Sequence, residues 1–408
     1  MQILGGQLLL NDDGDRARIA PGFVRIEGQQ ITEVVEGEIP SSLDFGGPNA
    51  LIAPGFIDTH LHLPQFDMIG AHGMPLLQWL SDVTFPAEQK WSNVDFARSM
   101  TRQALQQCAN VGTTGICAYA TVHHPSTLAA LDEATMFGMR GVIGQVLMNR
   151  NAPENLCRES KQLIDEAAAT IQAYPPHGRM AAAITPRFAV SCSSDLLSAA
   201  GTLASQTRAM IQTHIAETKA ECELVNDLFD GVDYVNVYQQ SYLLTERTVL
   251  GHGIHLSPQD RINLRDSGSV VAHCPTANSF LRSGAMDRRS LVDDGVRIAL
   301  GSDIGAGYER SMVRVGRAMI ETASSRGNVF PSAAQAWHQI TAGNADAMGW
   351  SDSGRLAVGR PADLVVIAPD IPWTSGDVDP LAMLMFAWDD RWIKQTFLHG
   401  RKATETQS

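Results

Sequence analysis

The chain has 408 residues, 44% of them hydrophobic and 18% charged, the balance of a globular protein large enough for a sizeable core. Its net charge of −13 argues against nucleic-acid or anionic-membrane partners, which select basic surfaces. No signal peptide is recognisable, no apolar run approaches a membrane span, and the six cysteines, none in a CxxC pair, read as small buried side chains in a reducing cytoplasm.

In chain order, residues 1–50 carry short strand-like pieces at 3–10 and 23–35, punctuated by glycine and aspartate. An apolar strand over 51–57 then leads into PGFIDTHLHLPQ (54–65), where His60 and His62 occupy alternate positions. Residues i and i+2 of a strand share a face, so both imidazoles can converge on one metal ion. Further short aliphatic runs follow at 114–119, 141–148, 181–188, 210–214 (MIQTH), 248–252 (TVLGH), 269–273 and 296–303 (VRIALGSD), alternating with helical stretches such as 96–109 and 156–174. Eight strand–helix units in roughly 300 residues, with polar residues gathered at the C-terminal strand ends, predict an α/β fold: a (β/α)8 TIM-type barrel with its site on the top face. The competing doubly wound nucleotide-binding sheet lacks support, because no Gly-x-Gly-x-x-Gly follows the first strand and no P-loop is present. Residues 354–408 return to strand-like pieces at 362–367 and 392–398. Neither flank is long enough to bury a core alone. The two are therefore expected to pair as one small β-sandwich domain, giving residues 1–52 and 354–408 to the sandwich and 53–353 to the barrel.

Histidine and aspartate are costly to bury at strand ends unless paired or bound to metal. His60, His62, His214 and Asp303, with His252 as a fifth candidate, form the set expected to hold one divalent ion per chain with a position open for water. Zinc is the default for so nitrogen-rich a site, and Fe2+ or Mn2+ would accept the same ligands. Spacing does not decide whether His252 binds the metal or only hydrogen-bonds the water. Asp303 is placed to accept that water's proton. Glu217, three residues past His214, is placed to carry protons to a substrate; the alternative is a first-turn helix acid favoured by the dipole.

PGFIDTHLH, HIAE (214–217), the strand ending at His252 and GSD (301–303), in this order, resemble the amidohydrolase superfamily. Within it the chain is similar to the guanine-deaminating branch, almost end to end. The segments that carry this are HLPQF (62–66), LLQWLSDVTFPAE (76–88), TPRF (185–188), SCS (191–193), LLTERTVLGHG (243–253), AHCPTANSFLRSG (272–284) and LGSDIGAGYERSM (300–312). The resemblance implies zinc on His60, His62, His214, His252 and Asp303, Glu217 as proton shuttle, and Gln65, Arg187 and Phe188 around a small-molecule purine beside His214. Trp79 and Phe85 are placed in a segment that can close over the site, with ordinary packing as the competing role. The activity implied is hydrolytic deamination of guanine to xanthine and ammonia by a homodimer. The alternatives are deamination of a related heterocycle (8-oxoguanine, a pterin or an aminotriazine) or a non-catalytic relative. Residues 149–183 and the stretch after Asp303 look compact for the family, so loops bordering the pocket are expected to differ. The remaining histidines, 72, 123, 124, 177, 255, 273, 338 and 399, are expected in structural or surface roles.

Overall fold

The computed structural model describes residues 1–12, 14–327 and 329–403. Eight parallel strands form one sheet in strict sequence order: Phe56–His62, Thr113–Tyr119, Arg140–Leu147, Met180–Pro186, Met210–Ile215, Thr248–His252, Val270–His273 and Arg297–Leu300. Most of their residues are buried, as expected of a parallel sheet whose two faces are both covered. The sheet curls until its first and last strands meet. There the Asp303 N–H donates to the His60 carbonyl at 2.8 Å, and the His62 N–H to the Ile304 carbonyl at 2.6 Å. The side chain of Asn344, fully buried, stitches the same seam: its amide nitrogen donates to the carbonyls of Ile57 (2.7 Å) and Leu300 (2.9 Å), and its oxygen accepts from the Leu300 N–H (2.9 Å). The expected (β/α)8 barrel is the fold of this chain.

The flanks join as one seven-stranded mixed sheet. Its order across the sheet is Arg401–Lys402, Ile393–Leu398, Leu364–Ile367, Phe45–Pro54, Gln2–Leu10, Arg18–Glu27 and Gln30–Glu36. N- and C-terminal parts meet where Leu364–Ile367 pairs antiparallel with residues 51–54. Alternation decides what each face covers. Leu51, Ala53, Val365 and Ile367 pack into an apolar cluster with Met312, Met319, Trp337 and Leu384, whereas Ile52, Leu364 and Val366 pack with Leu4, Leu8 and Phe397 in another.

Two expectations change in detail. Residues 51–57 are not one strand: the chain passes from the mixed sheet to the barrel at Gly55, whose added Cβ would lie 2.0 Å from the Thr114 hydroxyl. An apolar run buried in both sheets gives no compositional sign of the switch. The piece at 23–35 is likewise two strands, turned at Gly28 with φ of 59°, a conformation glycine adopts without strain.

Candidate active site

His60 and His62 project from the end of the first barrel strand, His214 from the fifth and His252 from the sixth; Asp303 lies three residues beyond the eighth. His60 fits because its neighbours are glycines. A Cβ on Gly251 would come within 2.6 Å of the His60 ring, and one on Gly301 within 2.5 Å of its Cβ. Backbone at three strand ends is turned into the left-handed region by non-glycine residues, Ala216 (φ 48°), His252 (φ 75°) and Asp303 (φ 52°). Such conformations cost energy and persist where surrounding structure enforces them, as at sites where side chains must be aimed.

His60, His62, His214 and Asp303 offer ligand atoms that all lie within 4.8 Å of one another. Asp303 Oδ1 is 3.4 Å from both His60 Nε2 and His62 Nε2, and His62 Nε2 is 3.1 Å from His214 Nε2. Two donors each about 2.0–2.1 Å from a tetrahedrally coordinated ion stand roughly 3.3 Å apart, so this spacing suits one small divalent cation. Both ring nitrogens of His60, Nδ1 of His62 and Oδ2 of Asp303 are buried without a hydrogen-bond partner among the described residues. Burial holds His60, His62 and His214 well below the usual histidine range, as neutral imidazoles able to bind a metal. The residues present fit the ion that the sequence implies.

His252 stands outside this group of four. Its Nε2 lies 3.8 Å from Asp303 Oδ2 and 3.4 Å from Glu217 Oε2, and its Nδ1 meets Asn278 Oδ1 at 2.9 Å. Burial would lower this imidazole, but the carboxylates of Glu217 and Asp303 outweigh it and raise its pKa. Glu217 takes a 2.7 Å hydrogen bond from the Ser283 hydroxyl. Burial, joined by Asp303 and Glu221 against the opposing His252, pushes its carboxyl up to about 7. The helix-acid alternative for Glu217 is wrong, because the helix begins two residues later at Lys219. Glu221 serves that helix end: it closes the capping box with Thr218 and accepts from the N–H of Glu217 at 2.8 Å and the Tyr234 hydroxyl at 2.7 Å.

A pocket opens over these groups, lined by His62, Gln65, Leu76, Trp79, Leu80, Arg187, Phe188, His214, Glu217, Glu221, His252, Asp303 and Ala306. Gln65, Arg187, Phe188 and Trp79 thus all reach the wall where the sequence places them. Phe85 does not; its ring lies 5.7 Å from the Arg187 guanidinium carbon. Glu221, Leu76, Leu80, Glu88, Asn278 and Ser283 were not singled out by sequence. The quoted blocks LLQWLSDVTFPAE and AHCPTANSFLRSG contain five of the six, but nothing in them marks which residue turns inward. His273 is fully buried with neither ring nitrogen bonded among the described residues, and burial pulls it down to about 3.

A barrel bearing a three-histidine, one-aspartate cluster at its strand ends, with a buried carboxyl group beside it, is the arrangement of a hydrolase with a candidate metal site. The chain belongs to the amidohydrolase family, whose model matches residues 51–403. Among its relatives, it is 33% identical to the guanine deaminase of Escherichia coli over 90% of this chain and 86% of that protein. It is 30% identical to the guanine deaminase of Homo sapiens over 87% and 83%. The E. coli guanine deaminase structure superposes with a TM-score of 0.92, at 30% identity over 98% of this chain and 99% of that one. Guanine deaminase from C. acetobutylicum, solved with guanine bound in the active site, gives 0.90 at 27% identity over 98% and 99%.

Proposed function

We propose that this protein hydrolyses guanine to xanthine and ammonia, with His60, His62, His214 and Asp303 holding one zinc ion. The observation that carries the reading is the convergence of that cluster, whose His62, His214 and Asp303 line one pocket, with Glu217, Arg187 and Gln65 in the same pocket. The likeness to guanine deaminases, one with guanine in its active site, supports the substrate. Zinc held by these residues would lower the pKa of a bound water toward about 7 and polarise the reacting centre.

The chain's own groups do the rest. Arg187 donates to the 6-oxo group and Gln65 meets the lactam edge, while Phe188 supplies an apolar wall beside the ring. This pose directs the carbon bearing the 2-amino group toward the cluster. Asp303, with an unpartnered Oδ2, takes the proton of the attacking water, and His252, aimed at both Asp303 and Glu217, hydrogen-bonds that water. Glu217 gives a proton to the ring nitrogen next to the reacting carbon, a role suited to a carboxyl pushed up to about 7. A proton passed to the amine lets the tetrahedral carbon expel ammonia, so guanine and water yield xanthine and ammonia. Incubating purified protein with guanine and following xanthine and ammonia together tests the reading; their formation in equal amounts supports it, and unchanged guanine overturns it.

A further inference from the structure

Glu88 is a carboxylate with 2% exposure that the reaction does not use, yet it is bonded to both polar residues placed against the purine. Its Oε1 accepts from Arg187 Nη1 in a buried ion pair and from Gln65 Nε2 at 3.4 Å. Gln65 is held from the other end by the Gly305 N–H, which donates to Gln65 Oε1 at 3.1 Å. A backbone N–H only donates and a carboxylate only accepts, so the two neighbours together fix which way the Gln65 amide faces. Glu88 reaches this position because of how its helix is built. Residues 76–92 run as one helical stretch with a π-helical turn at Leu80–Thr84. In a regular helix, Glu88 would stand about 80° round the axis from Leu80. The extra residue accommodated by the π turn brings it back to within roughly 20° of Leu80. The pocket-lining face of Leu76, Trp79 and Leu80 therefore continues into Glu88. Phe85, three residues before it, places its ring 5.7 Å from the Arg187 guanidinium carbon.

We infer that Glu88 is the positioning residue that sets the pocket's selectivity for a ligand with a carbonyl acceptor. One carboxylate oxygen orients the Arg187 fork and the Gln65 amide, and its charge balances a buried guanidinium that a neutral purine leaves uncompensated. This rests on the guanine reading of the site. Without Glu88, Arg187 loses its anchor and turns toward water, and a ligand that offers the 6-oxo group no longer gains over one that lacks it.

The test compares Glu88→Ala with wild type using guanine as substrate and 2-aminopurine, which keeps the 2-amino group but lacks the 6-oxo acceptor, as competitor. The KM for guanine rises about 10–100-fold, the range of a lost charge-assisted hydrogen bond, while the Ki of 2-aminopurine and the metal content stay within about twofold. In an Arg187→Ala background the same substitution has a much smaller effect, because Glu88 acts chiefly through Arg187 and only its contact with Gln65 remains. Glu88→Gln keeps the shape and one accepting oxygen and gives an intermediate shift; it serves if Glu88→Ala does not fold. Equal weakening of guanine and 2-aminopurine, or an effect undiminished in the Arg187→Ala background, assigns Glu88 to packing and overturns the proposal. A wild type inert on guanine overturns the proposed function instead.

Discussion

The backbone carbonyl of Arg187 accepts a 2.6 Å hydrogen bond from Nδ1 of His214. That bond fixes the histidine tautomer, leaving Nε2 free toward His62 and Asp303, as partners behind a metal-binding histidine generally do. One residue thus supports the cation cluster with its main chain and faces the pocket with its side chain. Arg187→Ala separates the two roles. Metal content, read by elemental analysis, stays unchanged, while kcat/KM for guanine falls by roughly 10–100-fold through loss of a charge-assisted donor. Loss of metal in this variant would show that the side chain, not the carbonyl, supports His214.

Glu217→Gln keeps size and hydrogen-bonding capacity but cannot deliver a proton. The turnover rate falls by at least about 10²-fold with metal retained, since the residue is outside the four-ligand group. Wild-type turnover by a metal-loaded Glu217→Gln protein would move proton transfer to another residue.

His214→Ala removes one of the four candidate ligands and one of the neutral imidazoles. It loses both metal and activity. In wild type, stripping the metal lowers the thermal midpoint, because an ion at 100 times its Kd contributes about 2.7 kcal/mol to the folded state. An unchanged midpoint after verified metal removal would contradict a resident ion in this cluster.

Asn344→Ala removes the side-chain partner of the Leu300 N–H and of the Ile57 carbonyl at the seam of the barrel, while the Leu300 carbonyl keeps the Thr59 hydroxyl at 2.8 Å. Each buried group left unpaired costs about 1–3 kcal/mol. A marked fall in unfolding free energy is expected, and a loss below about 1 kcal/mol would mean that the seam is held by the strand ends alone.

The metal cluster is legible in the sequence because strand periodicity fixes it. His60 and His62 share a face by their spacing, and His214 and His252 end aliphatic runs too short to be helices. Asp303 is less regular: it stands past its strand, in a left-handed turn that no periodicity announces. Glu88 and Asn344 escape for a different reason. Their partners lie 99 positions away for Arg187 and as many as 287 for Ile57, and a glutamate in a helix or an asparagine after a glycine looks like a surface residue until the fold brings those partners in. The division of residues 51–57 between two sheets is hidden in the same way, since both environments demand apolar side chains.

The most direct test of the account is kcat/KM for guanine and for adenine, measured on metal-loaded protein and again after chelation. In the guanine pose, adenine turns an amine toward Arg187 and has no amine to expel at position 2. Sites built to bond a polar group reject analogues lacking it by roughly 10⁴-fold. The account predicts guanine turnover at least that far above adenine, lost on chelation and restored by zinc. Faster deamination of adenine than of guanine, or full guanine turnover by metal-free protein, would contradict it.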